Sequence, residues 1–343
     1  MGTRRRRVSV IYFISKLVKW DDLCMEIISN PTQDEIKKAA QALKEGHLVA
    51  FPTETVYGLG ADATNEKAAS RVYSVKARPS DHPLIVHISS INQLDKWAID
   101  IPEYAIKLAE EFWPGPMTLI LKRSEIAKDF ITGGQENVGV RVPSHPVALA
   151  LLSEFEKLGG LGIVAPSANR FGKVSPTSSF DVQEELGEYL EDSDQILDGG
   201  NCLVGIESTI INCIGAGPVI LRPGAVLLEM VADLVGNVVD LDSSQSGVRT
   251  SGHFEKHYSP MAKVEIDAFA KPGEGFIAMS HIETPLGAIR LVSPETILEF
   301  AQTLYSGLRM ADKMGLAKIT VYCPEKVGLA LAIRDRLYKA LNS

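Results

Sequence analysis

Several short apolar runs of the sequence end in side chains that could bind an anion. The stretch FPTETVYGLG places Thr53 and Thr55 directly after one such run, with two glycines behind them. Lys76 and Arg78 follow a predicted helix with the spacing K-x-R, and Arg141 ends a further apolar run. Hydroxyl groups fix the orientation of a ligand, and arginine offers a planar fork to a carboxylate or phosphate. These residue types therefore indicate a site for a small anionic ligand.

Two more strand ends carry the same kinds of side chain. Ser167 and Asn169 lie in the run APSAN, and Arg222 directly precedes a Pro-Gly pair. An arginine at the end of a strand, taken singly, is more often part of a surface ion pair than of a binding site. The prediction therefore depends on whether the fold brings these strand ends together.

Alternating strand and helix patterns predict the sheet that would do so. Thr32 and Glu35 form a capping box, an apolar stripe follows, and Gly46 ends this first helix. Further helices are predicted at Asn65–Lys76, Glu103–Phe112 and Val147–Leu158, and strands at His47–Pro52, Pro83–Ile88, Met117–Lys122, Val138–Val142, Leu161–Ala165, Ser208–Asn212 and Val219–Leu221. The alternation predicts an α/β domain with a twisted mixed sheet, in which ligands bind beside the strand ends.

A smaller unit follows a polar segment. Residues 242–252 (DSSQSGVRTSG) lack periodicity and have the composition of a linker, which HFEKHYSP closes. Beyond it the pattern predicts strands Gly275–Met279 and Lys318–Tyr322, helices Pro294–Tyr305 and Arg309–Met314, and a C-terminal helix. The predicted division is an extension at 1–30, the α/β domain at 31–224, a linker and lid at 225–261, and a small Rossmann-like α/β domain at 262–343.

Composition disfavours several classes of protein. With 45% hydrophobic and 23% charged residues the chain is typical of a globular protein. A net charge of −8 disfavours a protein that coats nucleic acid, which needs a basic face. No stretch is apolar for long enough to span a membrane. The sequence also contains no Walker A, HExxH or G-x-S-x-G motif, so nothing predicts an activated covalent nucleophile.

The cysteines and the first residues carry little functional signal. Cys24, Cys202, Cys213 and Cys323 form no C-x-x-C pair and no zinc-like group with histidine. We interpret them as reduced, buried small hydrophobes in a cytoplasmic protein, and we predict no protein-bound metal. The start of the extension is basic and then apolar, without the clean apolar core and cleavage site of a signal peptide. An unstructured extension and a targeting peptide remain open alternatives.

In their order along the chain, the conspicuous blocks of the sequence resemble those of the YrdC-like threonylcarbamoyl-AMP synthases. These blocks are FPTETVYGLG, VKARP, PLIVH, WPGPMTLIL, VRVP, APSAN, SPTSS, ESTI and LRPG. The resemblance covers roughly residues 31–224, and the later HYSP with a small C-terminal domain is similar to the long form of the family. It implies an enzyme that combines L-threonine, bicarbonate or carbon dioxide, and ATP into threonylcarbamoyl-AMP and pyrophosphate. The product would then serve tRNA threonylcarbamoyladenosine modification.

The resemblance also implies roles for individual residues. The K-x-R and S-x-N signature implies catalytic roles for Lys76, Arg78, Ser167 and Asn169. The implied threonine contacts are Thr55, His87, Arg141, Ser167 and Ser208. The implied ATP contacts are Arg78, His82, Asn137, Asn169, Thr177, Arg222 and Tyr258. Mg²⁺ is expected on the triphosphate, and a tRNA threonylcarbamoyl transferase machinery is the expected downstream partner, without membrane association or stable RNA binding.

Some of these positions keep a second interpretation. His82 stands where the family commonly has asparagine, and the usual proline before Gly252 is missing, so the lid prediction depends on His257–Pro260. His87 is as well explained as a half-buried histidine of a strand. Thr177 would also suit a helix N-cap, and Ser208 would also suit a bond to a neighbouring strand.

Two rival functions follow from the same residues. A carbamoyltransferase domain like that of hydrogenase maturation shares this scaffold, but it resembles a fusion with an acylphosphatase and zinc modules that this chain lacks. An RNA-binding, translation-associated module would need a broad basic face with exposed aromatic residues, which the composition disfavours.

Overall fold

A computed structural model describes residues 27–236, 239–240, 248–250 and 258–341. The helices are α1 (Gln33–Glu45), α2 (Glu66–Lys76), α3 (Leu94–Trp97), α4 (Glu103–Phe112), α5 (Asp129–Thr132), α6 (Pro146–Lys157), α7 (Ser179–Leu186), α8 (Leu228–Val235), α9 (Ile297–Lys313) and α10 (Leu329–Leu341). The strands are β1 (Ile27–Ser29), β2 (Val49–Phe51), β3 (Gly58–Asp62), β4 (Ile85–His87), β5 (Met117–Lys122), β6 (Asn137–Arg141), β7 (Ile163–Val164), β8 (Gln195–Asp198), β9 (Thr209–Asn212), β10 (Val219–Arg222), β11 (Val239–Asp240), β12 (Lys263–Ile266), β13 (Gly275–Ile277), β14 (Ile289–Val292) and β15 (Lys318–Val321).

The first eleven strands form one large sheet. Their order is β1-β8-β2-β3-β7-β4-β6-β5-β9-β10-β11. Strands β4 and β6 run parallel, whereas β5 pairs with β6, and β9 with β10, in the antiparallel sense. This arrangement confirms the predicted mixed sheet, and it supplies the strand order that the sequence alone does not give.

Helices α1 and α6 cover one face of this sheet. Thr32 caps α1 with the predicted capping box, and Gly46 ends the helix with φ +93°. Leu43 of α1 and Phe155 of α6 pack with Phe51 of β2 in one apolar cluster. A larger cluster that includes Tyr57, Trp97 and Leu119 forms the main core. The predicted amphipathic helices are therefore confirmed, and their burial holds the strand ends in fixed positions.

A small apolar cluster lies over the central strands. Ile85, Ile120, Ile210 and Leu221 share this cluster with Val248 of the predicted linker. Because Val248 packs there, the described end of the linker lies against the same region of the sheet as the strands that carry the predicted site residues.

The second sheet belongs to the C-terminal part of the chain. It has the order β12-β15-β13-β14, and every pairing is parallel. Helices α9 and α10 pack on it through Phe300, Leu304 and Leu337. This confirms the predicted small α/β domain of Rossmann-like type.

One helix prediction is wrong. The pattern predicts separate helices at Pro294–Tyr305 and Arg309–Met314, whereas the structure contains one continuous helix, α9. Gly307 lies inside it, where a Cβ would come within 3.0–3.4 Å of Ile277 and Val292 side chains. The glycine therefore serves close packing of the helix on the sheet rather than a break in the helix.

Residues of the linker and of the first domain pack into the two apolar cores. Val231 of α8, at the start of the predicted linker, packs into the main core, and Tyr258, at its end, packs into the core of the second domain. Val56, Val174 and Ile206 of the first domain also pack into that second core. Most of the predicted linker segment 242–252 and His257 lie outside the described residues, as do residues 1–26 of the predicted extension. The proposed domain limits stay predictions.

The described cysteines agree with their predicted role. Cys202, Cys213 and Cys323 are buried free thiols, and Cys24 lies outside the described residues. Among the helices of the described segments, none has the length and apolar character that crossing a membrane requires.

Candidate active site

Strand ends from both directions of the mixed sheet converge on one narrow cavity. His87 and Arg141 are register partners at the ends of β4 and β6. Since β5 and β9 run opposite to β6, Ser208 enters at the start of β9. Arg222 lies at the end of β10, next to β9. The residues that line the cavity are Thr55, Val56, Arg78, Ile85, His87, Arg141, Ala165, Pro166, Ser167, Glu207, Ser208, Arg222 and Tyr258.

The predicted site residues divide into two groups. Every predicted threonine contact lines the cavity, namely Thr55, His87, Arg141, Ser167 and Ser208. Of the predicted ATP contacts, Arg78, Arg222 and Tyr258 line it, whereas His82, Asn137, Asn169 and Thr177 do not. The fold therefore brings the threonine set together and only part of the ATP set. The individual roles stay predictions.

Arg141 is held by groups on three sides. Its Nη2 donates to Glu54 Oε1 at 2.6 Å and to Thr55 Oγ1 at 2.9 Å, and its Nε donates to the Gly115 carbonyl at 3.4 Å. Ser144 N donates to the other oxygen of Glu54. Burial alone would raise the pKa of Glu54, but Arg141 and these hydrogen bonds outweigh it and lower that pKa. The guanidinium is thus fixed in one orientation, with Glu54 as its carboxylate partner.

His87 is a neutral group of the cavity wall. It is 3% exposed, so it is more deeply buried than the half-buried strand histidine of the alternative interpretation, and its ligand role stays a prediction. Burial, with a contribution from Arg141, lowers its pKa to about 3. Ile85 O lies 3.2 Å from Nδ1, and the Ile163 backbone also hydrogen-bonds to the ring. The backbone therefore holds the ring at the cavity wall, where it adds no charge.

Ser208 joins the two sides of the cavity. Its hydroxyl lies 2.8 Å from Thr118 Oγ1, which agrees with the alternative that Ser208 bonds to a neighbouring strand. Ser208 also lines the cavity. Arg222 donates from Nε to the Ser208 carbonyl at 3.0 Å and from Nη2 to its hydroxyl at 3.1 Å. A ligand that touches Ser208 is therefore within reach of a buried cation.

The K-x-R pair places its two cations differently. Arg78 lines the cavity and donates from Nη2 to the Pro83 carbonyl at 3.0 Å. Burial lowers the pKa of Arg78 to about 10, so it is charged at neutral pH. Lys76 is fully buried outside the lining and donates to the carbonyls of Ser167 and Asn169. Burial and then Arg78 lower the pKa of Lys76 well below its ordinary value. Lys76 thus holds the backbone of the S-x-N turn from the side that faces away from the cavity lining.

Asn169 also shapes the loop that follows this turn. Its Nδ2 donates to the carbonyls of Arg170 and Lys173, both at 2.8 Å. Its Oδ1 is buried and has no hydrogen-bond partner among the described residues. Asn169 therefore holds the loop and keeps one free acceptor.

Thr177 is not a helix N-cap. Ser178 caps α7 with a capping box that includes Asp181, and Thr177 donates its backbone N–H to Asp181 Oδ2 at 3.1 Å. The alternative prediction of a capping role for Thr177 is therefore wrong, and the ligand role stays a prediction.

His82 and Asn137 lie further from the cavity. The His82 ring lies 5.2 Å from that of Phe171, and burial lowers its pKa to about 4. Asn137 begins β6, four residues before Arg141, which is about 13 Å along an extended strand. Asn137, Gly139 and Arg141 share one face of β6 because side chains alternate along a strand. Gly139 leaves the middle of this row without a side chain.

Tyr258 reaches the cavity from the end of the predicted linker. It is 1% exposed, and its ring stacks on Tyr305 of α9 with a centroid distance of 5.7 Å and an interplanar angle of 21°. Its φ of +63° lies in the left-handed region, which residues other than glycine rarely adopt. The C-terminal domain therefore supports one wall of the cavity.

Two buried carboxylates of the site have no counterpart in the sequence predictions. Glu54 lies inside FPTET and Glu207 inside ESTI, each directly before a predicted threonine contact. Burial would raise the pKa of Glu207, but Arg336, Arg222 and Ser175 lower it to about 2. The sequence signal that could have identified them is a glutamate beside an apolar strand. Such a carboxylate is buried, and a buried carboxylate requires a cation as its partner.

The described residues offer little to bind a metal directly. In the described segments, no three His, Cys, Asp or Glu side chains converge in a way that could hold an ion. The charged groups of the cavity are instead the guanidinium groups of Arg78, Arg141 and Arg222, together with Glu54 nearby and Glu207. This surplus of positive charge suits a ligand that carries carboxylate and phosphate groups.

Comparison with known proteins agrees with this architecture. A family model described as "Telomere recombination", named Sua5_yciO_yrdC, matches residues 41–224. A second, described as "Threonylcarbamoyl-AMP synthase, C-terminal domain", matches residues 226–341. A threonylcarbamoyl-AMP synthase of Pyrococcus abyssi is 40% identical over 325 residues, covering 89% of this chain and 94% of the relative. One of Bacillus subtilis is 37% identical, covering 93% and 96% respectively.

Solved structures give the same result. The crystal structure described as Pyrococcus abyssi Sua5 complexed with L-threonine superposes with a TM-score of 0.81 at 36% identity, and it covers 92% of this chain and 98% of that chain. The Escherichia coli YciO structure, at 23% identity and a TM-score of 0.50, shares the fold of the first domain alone. The chain therefore belongs to the Sua5–YciO–YrdC family, and within it to the threonylcarbamoyl-AMP synthases that carry the C-terminal domain.

Proposed function

We propose that this chain condenses L-threonine, bicarbonate or carbon dioxide, and ATP into threonylcarbamoyl-AMP and pyrophosphate, using the cavity at the strand ends. The observation that carries this proposal is the meeting of three buried guanidinium groups with the hydroxyls of Thr55 and Ser208 around one small space. The function of the relatives in this family supports it.

Arg141 is proposed to bind the threonine carboxylate. It already holds the Glu54 carboxylate at 2.6 Å and is held on its Nε side, so its orientation needs no large change on binding. Thr55 and Ser208 provide hydroxyl groups for the substrate hydroxyl and carbamate, beside the neutral ring of His87. Val56, Ile85 and Ala165 provide an apolar wall for the methyl group.

ATP is proposed to lie along β6, starting from the cavity. Arg78 and Arg222 would face its phosphates, and the row Arg141, Gly139 and Asn137 would lie beneath the rest of the nucleotide. A Cβ at Gly139 would approach Ile120 at 3.2 Å and Ile85 at 3.3 Å, so a glycine at this position avoids a side chain beneath the proposed nucleotide.

Mg²⁺ is proposed to enter as part of the MgATP substrate. It would offset charge on the triphosphate, and the described residues supply no ligand cluster of their own. The residues that act on the nucleotide would then be the arginines, which would bind the α-phosphate and stabilise the negative charge that develops on it.

The proposed reaction proceeds in two steps. The threonine nitrogen first forms a bond to the carbon of carbon dioxide and loses a proton, which yields a carbamate. A carbamate oxygen then attacks the α-phosphorus, the bond between the α-phosphorus and its bridging oxygen to the β-phosphate breaks, and pyrophosphate leaves with that oxygen. Alignment and charge stabilisation provide the rate enhancement, so no covalent enzyme intermediate is required.

The product is proposed to pass to a separate transferase that modifies tRNA. A mixed anhydride of a carbamate and AMP is a reactive acyl donor, so its consumer is expected to attack the carbonyl carbon and release AMP. The cytoplasmic location, the absence of stable RNA binding and the identity of this partner stay predictions.

A pyrophosphate-release assay tests the proposal. The full chain with ATP, Mg²⁺, L-threonine and bicarbonate is expected to release pyrophosphate and to form a product that takes up carbon from labelled bicarbonate. Omission of threonine or bicarbonate is expected to stop both signals. Equal pyrophosphate release with and without threonine would show that the proposed reaction is wrong.

A further inference from the structure

A buried network crosses the boundary between the two domains directly behind the cavity. Its centre is Glu207, which lines the cavity and precedes Ser208. Arg336 of α10 donates from Nε to Glu207 Oε2 at 2.8 Å and from Nη2 to the Glu207 backbone carbonyl at 3.2 Å. Arg336 is 1% exposed, and its Nη1 donates to Asp335 at 2.6 Å. One guanidinium of the C-terminal domain thus holds both the side chain and the backbone of a cavity residue.

Both carboxylate oxygens of Glu207 are committed in this network. Tyr305 of α9 donates its hydroxyl to Oε2 at 2.9 Å, and Ser175 donates to Oε1 at 2.7 Å. Ser175 belongs to the loop that follows the S-x-N turn. Glu207 therefore joins the second domain to two cavity-forming segments of the first.

The same residues support Tyr258. Its ring stacks on Tyr305, and the Arg336 guanidinium lies 5.6 Å from the ring centroid. The left-handed backbone of Tyr258 is disfavoured on its own, so contacts on the ring are needed to keep it at the cavity wall. Arg336 thus touches the elements that place both Ser208 and Tyr258.

We propose that Arg336 and Glu207 are a positioning pair, through which the C-terminal domain sets the geometry of Ser208 and Tyr258 in the active site. The inference rests on the proposed function for its effect on turnover. Neither residue is proposed to contact the reacting atoms. The pair acts because a bidentate bond to one residue fixes its backbone and side chain together, which a single bond does not.

A second arginine of the same boundary offers a matched control. Arg309 of α9 is also buried, pairs with Glu185 at 3.2 Å, and donates to the Val174 carbonyl. It is not among the residues that line the cavity, and its partners Glu185 and Val174 hold the loop after the S-x-N turn rather than Glu207 itself. Arg336→Lys and Arg309→Lys therefore make the same chemical change in two interdomain ion pairs, and only the first loosens the proposed positioning pair.

The test compares these full-length variants by hydrogen–deuterium exchange without ligand and by steady-state pyrophosphate release. Arg336→Lys is expected to raise exchange around Glu207–Thr209 and Tyr258 and to lower kcat/KM by about tenfold or more, the effect of losing one or two charge-assisted hydrogen bonds. Arg309→Lys is expected to leave exchange in both segments close to that of the wild type. Equal effects of the two substitutions, or unchanged exchange in Arg336→Lys, would overturn the inference.

Tyr305→Phe provides a milder variant that keeps the ring stack and removes only the hydroxyl bond to Glu207. It is expected to raise exchange in the same two segments and to lower kcat/KM by about threefold to tenfold, less than for a full charge-assisted bond, because Arg336 still donates to the same oxygen. Unchanged exchange and unchanged kcat/KM in Tyr305→Phe would contradict the positioning pair, even if Arg336→Lys does not fold. Failure of the wild type to release pyrophosphate would overturn the proposed function, whereas the exchange data test the positioning pair independently of turnover.

Discussion

The threonine side and the ATP side of the proposed site are built in different ways. The threonine side consists of Thr55, His87, Arg141, Ser167 and Ser208, which all line one cavity. On the ATP side only Arg78, Arg222 and Tyr258 reach that cavity, while the other predicted contacts lie in loops or further along β6. The first set lies at strand ends or in the turns that adjoin them, and strand register fixes it. In the second set Asn137 and Arg222 lie on strands, and the other members lie in loops, at a helix end or at the end of the linker.

This difference predicts how the two substrates respond to change. Residues held by the sheet need little rearrangement, so threonine is expected to meet a preformed pocket. ATP is expected to depend more on the loop after the S-x-N turn and on the end of the linker at Tyr258, which lie outside the sheet. Substitutions on the two sides are therefore expected to separate the kinetic parameters of the two substrates.

The largest effect is expected for Arg141→Lys. Lysine keeps the charge but lacks the planar fork, so about 3 kcal/mol of charge-assisted hydrogen bonding to the threonine carboxylate is lost. The kcat/KM for threonine is expected to fall by about 100-fold, with a much smaller change in the KM for ATP. Pyrophosphate release measured against each substrate in turn checks this.

Arg123→Lys is the control for that substitution. Arg123 pairs with Asp129 and Glu136, which are exposed, and it lies outside the cavity lining. It is expected to leave both parameters within about twofold, since surface ion pairs contribute little. A fall in ATP and threonine parameters by the same factor in Arg141→Lys would contradict the separation of the two sides.

An intermediate effect is expected in the pH dependence of stability. The folded state keeps the pKa of His87 at about 3, against an ordinary value of 6.5. Because the unfolded chain then binds one more proton between these values, the free energy of unfolding falls as the pH drops through this window. His87→Gln is expected to reduce this slope by about 1.4 kcal/mol per pH unit.

Urea denaturation at several pH values between 4.5 and 6.5 measures the slope. His281→Gln is the control, because His281 is exposed in the second domain. It is expected to keep the slope of the wild type. An identical slope in His87→Gln would mean that the imidazole does not stay neutral in the folded protein.

The smallest effect is expected for Asn137→Ala. If ATP lies over Gly139 and reaches Asn137, the substitution removes one neutral hydrogen bond of about 0.5–1.5 kcal/mol. The KM for ATP is expected to rise by about threefold to tenfold, while the KM for threonine stays unchanged. An unchanged KM for ATP would place the nucleotide off this strand.

The sequence predicted the parts of the site that local patterns determine. The capping box of α1, the buried strands and the residues at their ends followed from periodicity and from turn residues. The grouping of the threonine set depended on the family resemblance, because the strand order of a mixed sheet is set by contacts between distant residues. The sequence contains no local signal for the pairing of β4 with β7, for example.

The remaining features depend on contacts that no local pattern encodes. Arg141 and Glu54 lie 87 residues apart, and Arg336 and Glu207 lie 129 residues apart. The sequence predicts two helices, at Pro294–Tyr305 and Arg309–Met314, yet close packing of Gly307 on β13 and β14 accompanies one continuous helix, α9. The catalytic role that the resemblance implies for Lys76 stays a prediction, and no local pattern indicates that its amino group donates to the backbone of the S-x-N turn.

The central claim is that the sheet presents a finished threonine pocket before ATP binds. Isothermal titration calorimetry of the full chain with L-threonine, without ATP or bicarbonate, tests this claim most directly. We expect saturable binding that Arg141→Lys abolishes and Arg123→Lys preserves. An absence of binding until ATP is added, or equal binding by Arg141→Lys, would contradict the claim.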